Sequence, residues 1–364
     1  MVHYSNLPDD ILRYLCQTMR MERLYGLMNL SGVDRRTREI ALSSIFDQIS
    51  LPRRLSENQE SWVGLEETIN VILSNQAIVS SVRTLDVYVY GYSKSEGKLP
   101  GTIFTLLFSF PKISTLSIRM GNKYCSQTQE ELGDQSNSDT SMSLFPSSLN
   151  SLIIPNRKWI FLTEYVLQLE SLVIESIAHG GPDPHFSDDI QRLGVKHPGL
   201  KKLYCQDACF TRNVLEIAHS FPDLREIGLR YGMGEGSTNS VLNHLSCYRM
   251  LPKLERLLFP AVSDLGLGYD PPECGNPFFR DPGLGVRLAA KAKEVTEQLL
   301  EGIQREVMAP GGPCLQTVVI GETVYACSSK GRFQKSRIIR RTGRDRRTIV
   351  EEDIEEMKTI SAGP

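Results

Sequence analysis

Three short stretches carry side chains of the types that do chemistry. Cys205 and Cys209, in CQDAC, are two thiols four residues apart; a zinc site wants four ligands, and no second cysteine cluster stands beside them. Residues 178–189 (AHGGPDPHFSDD) gather His179, Asp183, His185, Asp188 and Asp189, the donors a divalent cation takes. A polar loop running into an acidic helix start explains the same letters. Gly232, Gly234 and Gly236 follow a strand-like run, where backbone N–H groups could cradle a phosphate; the spacing of a dinucleotide loop is absent, and a tight turn suffices. The nearest approach to a nucleophile elbow is Gly91-Tyr92-Ser93-Lys94-Ser95, which lacks the closing glycine. Neither GxxxxGK[ST] nor HExxH occurs. No catalytic residue, metal or cofactor is therefore expected, and the chain does not read as an enzyme.

The elements that would position any working surface repeat. An apolar-x-x-apolar-x-apolar motif begins at Val82, Ile113, Leu149, Leu169, Leu200, Leu224, Leu254 and Leu315. Its last two apolar residues stand two apart and share one face of a short strand. Most starts lie roughly 20 to 36 residues apart, the period of a solenoid repeat. One such strand cannot bury its own apolar face, so the units must stack. Amphipathic segments near 101–109, 160–167, 187–195, 211–219 and 238–249 predict helices between strands, often ended by a proline as in SFPKI and KHPGL. Leu65, Ile69, Ile72 and Leu73 predict a helix ahead of the first motif.

Three inserts interrupt the array. Residues 122–143 are polar and predict a flexible surface loop, while residues 266–285 are rich in Pro and Gly with Tyr269, Phe278 and Phe279 to pack down or make contacts. A long helix is predicted from about 286 to 308, with Leu288, Ala292, Val295, Leu299, Ile303 and Val307 on one face.

The 364 residues are enough for a substantial core, and a net charge of -2 makes no case for nucleic acid or a membrane surface. No apolar run approaches the roughly 20 residues of a spanning helix, and the N-terminus lacks a signal peptide's basic start and apolar stretch. Eight cysteines without a CxxC pair read as buried, reduced thiols of a protein in the cytoplasm and/or nucleus. The basic block 330–347 followed by EEDIEE could bind nucleic acid or act as a nuclear signal; a last strand or a cap whose acids offset its bases is the preferred reading.

At the N-terminus, Pro8 suits a first helical position and Asp9 and Asp10 suit the positive end of a helix dipole. Ile11, Leu12 and Leu15 form one apolar face. Leu24, Leu27, Met28 and Leu30 mark a second helix, and Val33, Thr37, Ile40, Ala41 and Ile45 a third. Three helices with so few core positions are marginal alone. This segment resembles an F-box: Leu7-Pro8, Ile11-Leu12, spaced Leu24, Leu27 and Leu30, then Val33 with Arg35, Arg36, Arg38, Ile40 and Ala41. The strand-turn-helix units after it resemble the leucine-rich repeat in the irregular form found on F-box proteins.

The implied fold is α/β: an N-terminal three-helix F-box over 1–51, a linker at 52–61, an irregular leucine-rich-repeat solenoid over 62–325, and a charged C-terminal cap or tail at 326–364. The resemblance implies a substrate-recognition subunit of an SCF-type ubiquitin ligase, bound to the Skp adaptor and through it to the cullin scaffold. The adaptor surface would draw on Leu7, Pro8, Ile11, Leu12, Leu27, Leu30 and Val33, some of which must instead hold the helices together. Positions two, four and six after each motif start point away from the buried face and would line a concave side for an unknown target protein. They include Asp86, Tyr88, Arg119, Glu175, Tyr204, Gln206, Arg230 and Arg256, a mixture that suits protein recognition. The alternative is a binding scaffold outside any ligase, its helices a cap on the array.

Overall fold

A computed structural model describes residues 7–22, 24–54, 62–90, 98–138, 144–175, 186–208, 211–230, 241–262, 283–328, 331–342 and 348–353. The chain forms two compact units, Met1–Leu169 and Glu170–Pro364. Among the described residues no helix is long and apolar enough to cross a membrane.

The first unit opens with α1 (Asp9–Glu22), α2 (Leu24–Leu30) and α3 (Arg35–Ile45). Leu12, Cys16, Leu27, Leu30, Ile40 and Ala41 close a small core among them, with Leu7, Met19 and Ile45 packed against it. Asp34 starts α3 by accepting the Thr37 N–H at 2.7 Å, an N-cap that satisfies an otherwise orphaned donor. Arg36 then reaches back to the Asp9 carboxylate and to the Leu7 carbonyl, at 2.7 Å for the latter, tying the starts of α3 and α1 together.

The chain next enters β1 (Gln48–Arg54), which begins where a tail of the helical segment was expected and runs into the expected linker. Ile49 and Leu51 are buried, two apart, as a strand requires. Helices α4 (Val63–Ser74) and α5 (Gln76–Val79) lead to β2 (Thr84–Tyr90), α6 (Gly101–Phe108) to β3 (Thr115–Met120), and β4 (Ser151–Ile154) follows. All four strands are parallel, with Ile49, Leu85, Leu116 and Leu152 in one buried row. Pro52 lies on the outer strand β1, where a missing N–H costs no ladder bond.

Residues 122–143 are not the expected loop. Asn122–Tyr124 wind as a 3₁₀ turn into α7 (Cys125–Ser138); residues 139–143 lie outside the described set. Tyr124, Cys125, Thr128 and Leu132 are buried at helical spacing, enough to anchor an otherwise polar helix.

In the second unit β5 (Ser171–Ile174), α8 (Phe186–Lys196), β6 (Lys202–Ala208), α9 (Thr211–Ser220), β7 (Glu226–Arg230), β8 (Arg256–Phe259) and β9 (Thr317–Ile320) repeat the alternation. Leu172, Leu203, Ile227, Leu257 and Val318 stand in register on parallel strands as the buried row. The long helix Leu284–Glu306 packs on the stretch Val241–Met250, burying Val295, Leu299 and Ile303. That stretch and Arg157–Tyr165, both expected as α-helices, wind as 3₁₀, whose rise of about 2.0 Å per residue spans more length in a short connection.

The parallel order ends at β9. β10 (Thr323–Cys327), β11 (Phe333–Thr342) and β12 (Thr348–Asp353) add on antiparallel, and Gly321 takes a positive φ of 59° in the tight turn that reverses the chain. The register sets Arg337 against Asp353, so the basic strand pairs with the acidic one.

Candidate partner-binding surfaces

The three helices divide the apolar residues that sequence patterning left mixed. Leu12, Leu27 and Leu30 belong to the core and are buried, so they are corrected from partner contacts to internal packing. Leu7 is half-buried against that core. Pro8 is exposed, as are Ile11 at 43% and Val33 at 47%. Two residues that patterning did not single out for the surface join them: Tyr14 at 67% and Met28 at 55%. Ile11 and Tyr14 lie three apart on α1, hence on one face. Val33 stands two residues ahead of α3, whose first turn is clasped to that of α1 through Arg36. Apolar groups from both elements are thus presented at one end of the unit. A rule separating Ile11 from Leu12 was latent in the helix period, since neighbours differ by about 100° of azimuth.

The strand faces were assigned by offset, and that rule meets two different outcomes. In the first unit Asp86 lies buried and pairs with Arg119 at 3.1 Å, their side chains only 6% and 20% exposed. Asp86 is therefore corrected from an open contact residue to a structural one. Its row carries Ser50 and Ser117, small neighbours that leave room for the guanidinium to reach across. Ser117 is buried with a hydroxyl oxygen lacking a hydrogen-bond partner among the described residues. Tyr88, one row along beside Arg119, is half-buried.

In the second unit Lys202, Glu226 and Arg256 stand side by side in one row, and Val173, Tyr204, Gly228, Leu258 and Val319 in the next. Lys202 pairs with Glu226 at 2.7 Å, and the Tyr204 hydroxyl donates to the other oxygen of that carboxylate. A Cβ on Gly228 would come within 2.8 Å of the Tyr204 ring and 3.2 Å of Leu258. Glycine is what lets the tyrosine lie across β7 with its hydroxyl pinned. Glu175 and Arg256 are half-buried; the side chains of Gln206 and Arg230 lie outside the described residues.

The stretches with chemical potential place as follows. Cys205 is buried; Cys209, residues 178–185, Gly91–Ser95 and the glycines at 232–236 lie outside the described residues, while Asp188 and Asp189 sit in the first turn of α8. Burial pushes the Cys16, Cys125 and Cys247 thiols up, away from the thiolate form an attacking sulfur needs. Among the described residues no three His, Cys, Asp or Glu side chains group to hold a metal.

No family model matches the chain, and no curated protein matches it. A Bacteroides fragilis protein of solved crystal structure is similar over 57% of this chain and 58% of its own, at 14% identity and a TM-score of 0.31. This chain thus spans less than two thirds of that protein's length, and so distant a likeness assigns neither fold nor function.

Proposed function

We propose that the chain is the substrate-recognition subunit of an SCF-type ubiquitin ligase. Its three helices act as an F-box that docks on the Skp adaptor and so on the cullin scaffold. The leucine-rich-repeat-like strands hold a target protein, and catalysis is left to the conjugating enzyme, near which the target's effective concentration rises. The observation that carries this reading is the unspent apolar surface of the helical unit. With its own core closed, it still exposes Ile11, Tyr14, Met28 and Val33, four of the ten large hydrophobics exposed among the described residues. That concentration in the first 33 residues is what a docking face provides.

A second reading has an observation of its own. α3 packs on α5 and β1 pairs with β2, so the helices also serve as a cap on the first repeat, as in a scaffold outside any ligase.

Co-expression with a Skp adaptor separates the two. The proposed subunit co-elutes with the adaptor, and Ile11→Ser and Val33→Ser each weaken the complex by about 30-fold if they act as anchors. Both side chains are exposed, so the variants should keep the wild-type melting midpoint; Leu12→Ala, in the core, would not. A folded chain that ignores the adaptor leaves the helices as a cap.

A further inference from the structure

At the joint between the helices and the first repeats, a groove of about 690 Å³ opens. It receives Arg13 from α1, Glu39 and Ser43 from α3, Ser81 after α5, and Arg83, Lys112 and Ser114 from the turns leading into β2 and β3. Its volume falls in the range of small-molecule pockets, roughly 300–1,000 Å³, but its walls are polar where such pockets are mostly apolar.

The two carboxylates on its rim are already engaged. Glu39 pairs with Arg35 at 3.1 Å, and Asp47 with Arg83 at 3.6 Å. Arg13 and Lys112 are exposed and have no carboxylate partner among the described residues. The groove therefore holds two uncompensated cations and a third, Arg83, whose side chain is 68% exposed and only loosely held. Guanidinium forks and an ammonium are the donor groups that take phosphate oxygens.

The serines narrow the ligand further. A hydroxyl has one proton to give. Ser43 gives its proton to the Ile40 carbonyl at 2.7 Å, Ser81 to Ala77 at 2.6 Å, and Ser114 to Arg83 at 3.2 Å. Their oxygens are left to accept, and an anion brings them nothing; a ligand's own hydroxyl donors do. We infer that this groove binds a small phosphate monoester carrying free hydroxyls, its phosphate held by the open cations of the lining and its hydroxyls by the Ser43, Ser81 and Ser114 oxygens. The inference does not depend on adaptor binding.

The test is calorimetric titration of the full chain, at fixed ionic strength, with glycerol 3-phosphate, inorganic phosphate, glycerol and a phosphoserine-bearing peptide. Glycerol 3-phosphate should bind more tightly than phosphate, and glycerol not at all. Arg13→Ala/Lys112→Ala should weaken binding about tenfold or more, with the ligand-free melting midpoint unchanged because both side chains are exposed. Failure of both phosphate compounds to bind at about 1 mM, or binding untouched by the double variant, overturns the site. Phosphate binding as tightly as its ester, or the peptide binding more tightly than glycerol 3-phosphate, overturns the ligand class.

Discussion

In the first unit the carbonyls of Asp47, Arg83 and Ser114 each accept two N–H groups from the residues that open the next strand, at 2.8–3.1 Å. In the second unit Glu170, Lys201, Arg225 and Glu255 do the same over the same range. The side chains at these turns differ. The first unit leans on hydroxyls, with Ser148 donating to Ile113 and Ser114 to Arg83, beside a looser ion pair of Asp47 with Arg83 at 3.6 Å. The second uses ion pairs: Glu170 with Lys201, Arg225 with Glu255, and Asp223 with Lys253. Stacking rests on backbone groups that any residue supplies, so the side chains there are free to vary. Exposed pairs of this kind contribute about 1 kcal/mol or less each. The deeper contrast is on the strand faces, where the first unit draws a charge pair inward and the second sets a tyrosine down over a glycine.

That contrast breaks most visibly at Asp86. Asp86→Ala removes the carboxylate opposite Arg119 where water reaches poorly, and should cost about 2–3 kcal/mol in urea unfolding. Asp86→Leu/Arg119→Leu should recover much of that loss, because an apolar pair leaves no charge to be solvated. A single substitution costing no more than the loss of a surface pair would show that the two faces do not differ in kind.

Next in size is Gly228→Ala, which forces the Tyr204 ring off β7 and breaks its bond to Glu226, for about 1–3 kcal/mol. In a Tyr204→Ala background the same change should be nearly neutral. Additive costs would mean that the glycine serves the strand alone and not the tyrosine.

These cases show where sequence reasoning reaches and where it stops. Each of the eight motif strands begins two residues after the first apolar position, as from Val82 to Thr84 and Leu200 to Lys202, because period-two burial is local. The long helix was legible for the same reason. Asp86 was not: its partner Arg119 stands on the neighbouring strand, and only register brings the two together. Leu12 and Ile11 look alike until the helix is turned against its neighbours. α7 hid behind polar letters, although Tyr124, Thr128 and Leu132 recur every four residues. β10 went unread because a short antiparallel return carries no repeat to announce it.

The smallest effect sharpens the comparison of the turns. Lys253 donates to Asp223, and that bond, more than the charge itself, holds the Asp223 carboxyl below its ordinary value near 3.8, with Arg225 and Lys201 adding to the shift. A carboxyl depressed in the folded state stabilises fully above its unfolded pKa, and the contribution is lost as pH falls through the folded one. Wild type should therefore melt above Lys253→Met at neutral pH, by a margin that stays constant down to the ordinary carboxylate range and closes below it. Salt of about 1 M should narrow the same gap at neutral pH, since both side chains face water and the charge share of the contact is screened. No charged pair joins Ser148 to Ile113 in the first unit, so Ser148→Ala should give a loss that salt leaves alone. A pH-independent gap for Lys253→Met would instead make the lysine stem's packing the source of its stability.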